Sequence, residues 1–459
     1  MSKTLVIVES PAKCKKIESY LGPGYKCIAS FGHIRELNTK LGLSCIDIDN
    51  DYTPLFIDSK SKYKQINTIK KELGNCSDIL IATDDDREGE AIGWHICKVC
   101  KLNPKSTKRI IFHEITKSAL QRAVQNPTTL NMNTIESQKA RQILDLLVGF
   151  SISPILWKLI KTYGSGALSA GRCQTPALRL VYDNDQECKA NPGKQVYAIT
   201  GTFTKKNIEF QLQDPIENQD VTEEFLEDSV NHDHELTVDK ARKVHKAPPT
   251  PFSTSMLQQT ASSTLRMNPK QTMSSCQILY EAGLITYMRT DTNVFSDEFI
   301  KKSTNLITEK YGSEYVREDI SRISLGGSGS KGKSQSDSKK TKQTSKSKSD
   351  NAQEAHEAIR PTDVTREFIA QNGKITVKEQ KLYSLIYNHS LECCMAKSVA
   401  RAVTVKITSP IEGNNYKTVG EYIEFPGWKI VRGYETSREM FDFINETLRK
   451  EKNKIVNYK

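Results

Sequence analysis

DILIATDDDREGEAIGWHICKVC, residues 78–100, is the stretch from which the rest of the fold is read. Its first six residues form the short apolar run of a buried strand. From Ala91 onward, AIGWHICKVC places apolar side chains at helical spacing. Between them stand Asp84, Asp85, Asp86, Arg87, Glu88, Gly89 and Glu90. Side chains alternate along an extended chain, so Asp84 and Asp86 face one way and Asp85 the other. Two carboxylates that share a direction at a strand end can meet one ion. A second acid, Glu9, closes the strand-like TLVIVE (4–9) and leads into the turn SPAK (10–13). Oxygen ligands of this kind suit a hard cation such as Mg2+, which in enzymes usually works on phosphates. The pattern implies chemistry on phosphodiesters.

Working outward, strand-like and helix-like segments alternate over the first 125 residues: TLVIVE, KKIESYL, YKCIAS, KQINTIKKEL, DILIAT, AIGWHICKVC, RIIFHEI and SALQRAVQ. That alternation predicts an α/β layer domain over 1–125 with a largely parallel sheet, whose sites gather beyond the carboxyl ends of strands. Glu9 and Asp84 both hold that position. Residues 126–192 read as helical and basic, with Lys139, Arg141, Lys158, Lys161, Arg172 and Arg179 around a small-residue turn at 164–171. Short strands dominate 193–249 and return over 398–459, which predicts one discontinuous β-rich domain. The turn-rich KAPPTPFSTS (246–255) marks a boundary, and 250–397 reads as an inserted helical domain.

At 459 residues the chain is long enough for three or four domains of ~100–200 residues each. Of its net charge of +11, seven Lys and two Asp at 331–350 supply five, leaving a moderately basic remainder that suits a nucleic-acid partner. The eleven Cys are scattered; only Cys97 and Cys100 show CxxC spacing, so a zinc ribbon is not expected. An odd cysteine count without a signal peptide points to a reducing, cytoplasmic setting, with a nucleoid or viral one as the alternative. No uninterrupted apolar run approaches the ~18 residues of a membrane span, so no membrane contact is expected. Residues 324–350 are low in complexity and read as a disordered insertion. Within them GSGSKGKS (327–334) fits the P-loop spacing but lacks the flanking strand and helix that a phosphate cradle needs. No nucleotide is expected there.

The other informative segment is GLITYMRTD, 283–291. Tyr287 alone would more often be a buried aromatic with a bonded hydroxyl. Arg289 lies two residues on and shares its side if the chain is extended. A guanidinium there can bind phosphate bidentately and favour phenolate. A phenol of ordinary pKa ~10 needs such help to act as a nucleophile.

With VIVESPAK (6–13), SFGHIREL (30–37), ATDDDREGEAIGWH (82–95), FHEIT (112–116), LSAGRCQTPALRLV (168–181), TYMRTD (286–291) and NAQEAHEAIRP (351–361), the chain resembles a type IA DNA topoisomerase, most similar to the bacterial topoisomerase I branch. The resemblance implies an α/β and mixed multidomain fold. Residues 1–125 would be a Toprim domain with a Rossmann-like parallel sheet. The rest would form a toroidal core, with 126–192 part of a helical groove for single-stranded DNA and 193–249 with 398–459 a β-rich arch. Residues 250–397 would be the helical domain that bears the nucleophile.

The resemblance also implies an ATP-independent isomerase. It would cleave one DNA strand through a transient 5′-phosphotyrosine link at Tyr287, pass a strand and religate, relaxing negatively supercoiled DNA. Arg289 would contact the scissile phosphate, with Lys13 and His356 supporting it. Glu9 would act beside the leaving 3′ oxygen or as a metal ligand, and Glu9, Asp84, Asp86 and Glu88 would take Mg2+. His33, Arg35, Arg141, Asp145, Trp157, Ser169, Ala170, Gly171, Arg172, Cys173, Gln174 and Arg289 would meet DNA. Core packing remains the commoner fate of a tryptophan such as Trp157. Transesterification exchanges one phosphoester for another of similar energy, so no nucleotide is needed. A monomer is expected.

The chain ends at Lys459, soon after the arch-like EFPGWKIVRGY, where the family's core continues. That leaves a second expectation, a DNA-binding or DNA-cleaving remnant unable to complete strand passage. SAGR within LSAGRCQTPALRL favours the relaxing branch over the decatenating one. Tyr287 within TYMRTD argues against a Toprim nuclease or primase, which would share only the acidic pattern.

Overall fold

A computed structural model describes residues 3–160, 167–203, 208–324, 357–371, 373–434 and 438–449. The chain divides into two compact units, one of 1–184, 251–296 and 329–387, the other of 185–250, 297–328 and 388–459. His356, the P-loop-like 327–334 and nearly all of the low-complexity insertion lie outside the described residues.

In the first unit, strand Lys3–Val8 lies between Tyr25–Ala29 and Cys76–Ile81 and runs parallel to both, with Ile7 opposite Ile28 on one side and Ile81 on the other. The two-residue strands Lys108–Arg109 and Thr128–Thr129 complete a five-stranded sheet. Leu5, Val6, Ile7 and Val8 are all fully buried, as a central strand covered on both faces requires. Ile66 and Ile69 of helix Tyr63–Gly74 and Ile92 and Ile96 of helix Arg87–Val99 share one core with Leu5, Ile7, Ile79 and Ile81. Each such side chain contributes ~1.5–3 kcal/mol by leaving water. Of RIIFHEI, only Arg109 joins the sheet, where a longer strand was expected.

The two central strands each deliver a helix N-terminus to the same end of the sheet. Helix Pro11–Leu21 opens with Pro at its first turn and with Ser10 Oγ accepting the Ala12 N–H at 3.3 Å. Helix Arg87–Val99 opens on Asp86, whose Oδ1 accepts the Gly89 N–H at 2.8 Å. The turn between strand and helix is so tight that a Cβ on Gly89 would lie 2.0 Å from the Asp84 carbonyl oxygen. Only glycine fits there.

Helix Met132–Leu159 starts on Asn131, whose own N–H donates to Glu90 Oε2 at 3.0 Å. By length and composition alone this helix would be able to cross a membrane. That differs from the reading of the sequence, because Gln142, Asp145, Gly149 and three serines interrupt its apolar residues without breaking the helix. Leu144, Phe150, Ile152, Ile155, Trp157 and Leu159 are exposed along it.

Helix Pro269–Glu281 begins in a capping box of Asn268 and Gln271 and ends just before Gly283, at φ +63°. A Cβ at Gly283 would also lie 2.7 Å from the Ile115 carbonyl oxygen. Beyond it the chain is pinned on three sides. The Thr286 N–H donates to the Arg360 carbonyl at 2.9 Å, the Tyr287 N–H to the His113 carbonyl at 2.8 Å, and Thr254 Oγ1 to the Met288 carbonyl at 2.7 Å.

The second unit is built on a six-stranded sheet. Its strands run in the order Thr200–Phe203, Ile208–Leu212, Tyr416–Phe425, Ser398–Ile407 and Leu236–Val238, and Arg242–Lys246 also pairs with Ser398–Ile407. The pairings are antiparallel, so two distant stretches of chain share one sheet. Phe203 sits at the centre of its core, with ring centroids 5.5 Å from Phe210 and 5.1 Å from Tyr416.

Arg109 anchors the acidic end of the first sheet. Its fully buried guanidinium donates through Nη1 to the Thr83 carbonyl and through Nη2 to the Asp84 carbonyl, each at 3.0 Å, and through Nε to Glu90 Oε1. Replacing Arg109 with Met leaves Glu90 buried without its cation, which should cost about 3–5 kcal/mol of unfolding free energy. Pairing that change with Glu90→Met should recover most of the loss. Urea denaturation of the three proteins is the check, and a single variant within about 1 kcal/mol of wild type would contradict it.

Candidate active site

The acidic loop follows directly from the strand ends. Asp84 lies past the end of Cys76–Ile81, and its N–H donates to Glu9 Oε1 at 3.0 Å, tying the two central strands together. Asp84 Oδ1 accepts from Lys13 Nζ, on the first turn of helix Pro11–Leu21, and from the Tyr280 hydroxyl at 3.2 Å. Asp86 divides its oxygens. Oδ1 caps the helix, while Oδ2 accepts from the Tyr287 hydroxyl at 2.5 Å and from Arg289 Nη1 at 3.1 Å. Glu88 Oε2 meets His33 Nε2 at 3.0 Å and accepts from Gln138 Nε2 at 3.2 Å. Asp85 faces away and meets His113 Nε2 at 2.7 Å.

Glu9, Lys13, Asp84, Asp86, Tyr287 and Arg289 thus form one cluster, with His33 and Glu88 beside it. Arg35 stands off, with its Nε 3.3 Å from Asp58 and its guanidinium over the Phe56 ring. Asp145 and Arg172 pair with each other at 3.1 Å. Ser169 Oγ accepts from Gln174 Nε2 at 3.0 Å, the Ala170 N–H donates to Ser153 Oγ, and the Gly171 N–H donates to Thr175 Oγ1. Cys173 is exposed and Arg141 half-buried. Among the described residues none of these bonds to the acidic cluster; Gln138, one turn before Arg141, reaches it through Glu88. Trp157 is 58% exposed, not packed in a core, and its indole N–H donates to the Leu168 carbonyl.

Burial and the negative charges of Asp84 and Asp86 raise the Glu9 carboxyl to about 7, with Lys13 opposing. The same causes act on Tyr287, where burial first and then Asp86 and Asp84 push the phenol well up, and Arg289 only partly offsets them. Arg289 does favour phenolate, as the sequence suggests, but burial and the two carboxylates outweigh it in this state. Tyr280, fully buried, is pushed up likewise by burial, Asp84 and Tyr287. Glu88 is held below the usual carboxylate range by the His33 hydrogen bond. Burial pushes the Cys97 and Cys100 thiols up, Cys100 to about 11 with the charge of Cys97 adding to it.

The donor set of Glu9, Asp84, Asp86 and Glu88 is all oxygen, as a hard cation requires, and after burial it is the charge of Asp84 and Asp86 that raises Glu9 and Tyr287. Protein cations stand against two of these carboxylates, Lys13 on Asp84 and Arg289 on Asp86, while the His33 ring hydrogen-bonds Glu88. Among the described residues, no three His, Cys, Asp or Glu converge closely enough to hold a metal.

Sequence reasoning missed Tyr280, Arg109 and His113. Tyr280 stands seven residues before Tyr287, and the Gly283 turn brings the two rings together with centroids 5.2 Å apart. A lone arginine heading the apolar RIIFHEI was the available sign of a buried ion pair.

The parallel sheet with an acidic turn at its carboxyl end is a Toprim domain: residues 4–115 match that domain's family, which is generally associated with Mg2+. Residues 129–457 match the DNA topoisomerase family. Among solved structures, full-length topoisomerase I from Thermotoga maritima is similar, 33% identical with a TM-score of 0.75, covering 94% of this chain and 68% of that one. The chain belongs to the DNA topoisomerase family, in its type IA branch. It is an isomerase whose partner is DNA.

In metal-free buffer the Glu9 carboxyl has a pH signature. The folded protein holds this proton up to about 7, whereas the unfolded chain releases it near 4.5. The folded state then binds more protons across that window, so its stability falls as pH rises from about 4.5 to about 7 and levels off above. Denaturation of wild type and Glu9→Gln across this range should show the gap shifting against wild type as pH rises. Parallel curves would contradict the assignment.

Proposed function

We propose that the chain cleaves one DNA strand by transesterification at Tyr287, passes a strand through the break and reseals it, relaxing negatively supercoiled DNA without a nucleotide. The observation that carries this reading is the Tyr287 hydroxyl bonded to Asp86 Oδ2 at 2.5 Å, inside a cluster that also holds Arg289, Glu9 and Lys13. The Tyr287 oxygen attacks the phosphorus as its proton passes along the existing hydrogen bond to Asp86. The P–O bond to the 3′ oxygen breaks, and that oxygen takes the proton of Glu9, whose raised pKa keeps it partly protonated near neutrality. The product is a 5′-phosphotyrosyl link and a free 3′-hydroxyl. Resealing runs the same steps backward, with Glu9 as base.

Arg289, whose side chain is 57% exposed, is the cation best placed to meet the scissile phosphate. Lys13, whose side chain is 1% exposed, reaches it only by leaving Asp84. His356 belongs to the same proposal from the sequence alone. Glu9, Asp84, Asp86 and Glu88 are the oxygen donors that would take Mg2+, and they would have to draw together to hold it, since no three of them converge here. Bound there, the ion would neutralise the carboxylates and stabilise charge on the phosphate or the leaving oxygen. Positioning and electrostatic stabilisation supply the rate, at a tenfold gain per ~1.4 kcal/mol.

His33, Arg35, Arg141, Asp145, Arg172 and the segment Ser169, Ala170, Gly171, Cys173 and Gln174 would meet the strand. The exposed Trp157 is suited to stacking on a base. The protein would act as a monomer, in the cytoplasm, a nucleoid or a viral setting, without a membrane.

Covalent trapping tests the chemistry. With Mg2+ and a single-stranded oligonucleotide labelled at its 3′ end, denaturation should leave label on wild-type protein and none on Tyr287→Phe. A 5′ label should stay free. Label on Tyr287→Phe, or wild type that binds the strand and forms no adduct, would overturn the assignment.

A further inference from the structure

We propose that Tyr280 is a positioning residue for strand cleavage: its hydroxyl fixes the Asp84 carboxylate against Lys13, and its ring is the wall against which Tyr287 is held. The inference rests on Tyr287 being the nucleophile.

A phenylalanine would fill the same buried space without a polar atom to satisfy. Tyr280 instead carries its hydroxyl to zero exposure and donates it to a carboxylate at 3.2 Å. Burying a phenol oxygen is unfavourable unless it finds a partner, so this bond defines where the ring can sit. The acceptor, Asp84 Oδ1, is the oxygen that also takes Lys13 Nζ, and Lys13 Nζ in turn lies 4.9 Å from the centroid of the Tyr280 ring. Phenol, carboxylate and ammonium therefore close a triangle drawn from three separate elements. One oxygen of Asp84 is held by two donors, which stops the carboxylate from rotating about its own bond. The Asp84 N–H meanwhile holds Glu9.

The other face of the argument is the ring. Tyr280 and Tyr287 meet edge to face, with planes 65° apart. That contact limits where the Tyr287 ring can swing, while its hydroxyl is tied at the far end to Asp86. The nucleophile is thus located at both ends, by an aromatic wall and by a hydrogen bond. Tyr280 is fully buried and acts through Asp84 and the Tyr287 ring.

Single-turnover adduct formation on a single-stranded oligonucleotide separates the two contributions, using wild type, Tyr280→Phe and Tyr280→Leu. Tyr280→Phe keeps the ring and should slow adduct formation at saturating strand by about ten- to a hundredfold, the value of one hydrogen bond to a charged group. The strand concentration for half-saturation should stay within about twofold of wild type. Tyr280→Leu should be slower again because the wall is lost. Tyr280→Met, longer and more adaptable in a cavity, replaces it if Tyr280→Leu does not fold, and thermal denaturation confirms that each tested variant is folded.

Tyr280→Phe as fast as wild type would overturn the role of the hydroxyl. Tyr280→Leu or Tyr280→Met no slower than Tyr280→Phe would overturn the role of the ring. A loss that appears only in half-saturation would make Tyr280 a binding residue and overturn the proposal. Failure of wild type itself to form an adduct is a different result, and defeats the nucleophile assignment instead.

Discussion

The buried guanidinium of Arg109 is the constraint on which the site depends. It holds the carbonyls of Thr83 and Asp84 and the carboxylate of Glu90, so the loop between strand and helix cannot relax. Glu90 passes the restraint on, accepting the Asn131 N–H and so fixing the start of the long helix Met132–Leu159. Removing such a buried cation would strand a carboxylate out of water, at a cost that surface ion pairs never approach. With the loop fixed, Asp84 and Asp86 project from it at set positions. Lys13, Tyr280, Tyr287 and Arg289 then find their partners on those two residues.

The electrostatics of the cluster follow from that crowding. Carboxylates brought together away from water raise one another and the neighbouring phenol, and here Glu9 and Tyr287 both rise. Protein cations hold the balance, each on its own carboxylate. On the proposed chemistry, this state keeps the nucleophile protonated until its proton passes to Asp86 as the phosphate is attacked. A tyrosine held neutral beside a carboxylate is protected from idle ionisation and remains one proton transfer from attack.

How much of this was legible in the sequence depends on the range of the interaction. Alternation along a strand placed Asp84 and Asp86 together and turned Asp85 away, and Asp85 does meet His113 instead. The strand-end rule brought Glu9 to Asp84, because two parallel neighbours end at the same level. Local patterns have no such hold on partners far apart in the chain. Tyr280 and Asp84 are separated by 196 residues, and nothing in QILYEAG states that its tyrosine lies under an acidic loop. The Arg109–Glu90 pair was hidden in the same way, within an apolar run that resembled a strand and contributes only a two-residue ladder. Trp157 misled in the opposite direction, since apolar character suggests a core and the fold leaves it on a helix face. Composition likewise concealed how apolar Met132–Leu159 is over an 18-residue window.

The most direct measurement of the account is the linking number of a negatively supercoiled plasmid incubated with the protein and Mg2+, without ATP. Single-strand cleavage and passage predicts a ladder of closed circles moving toward the relaxed state in steps of one. Closed circles left unchanged, with or without nicked circles accumulating, would contradict strand passage by this chain.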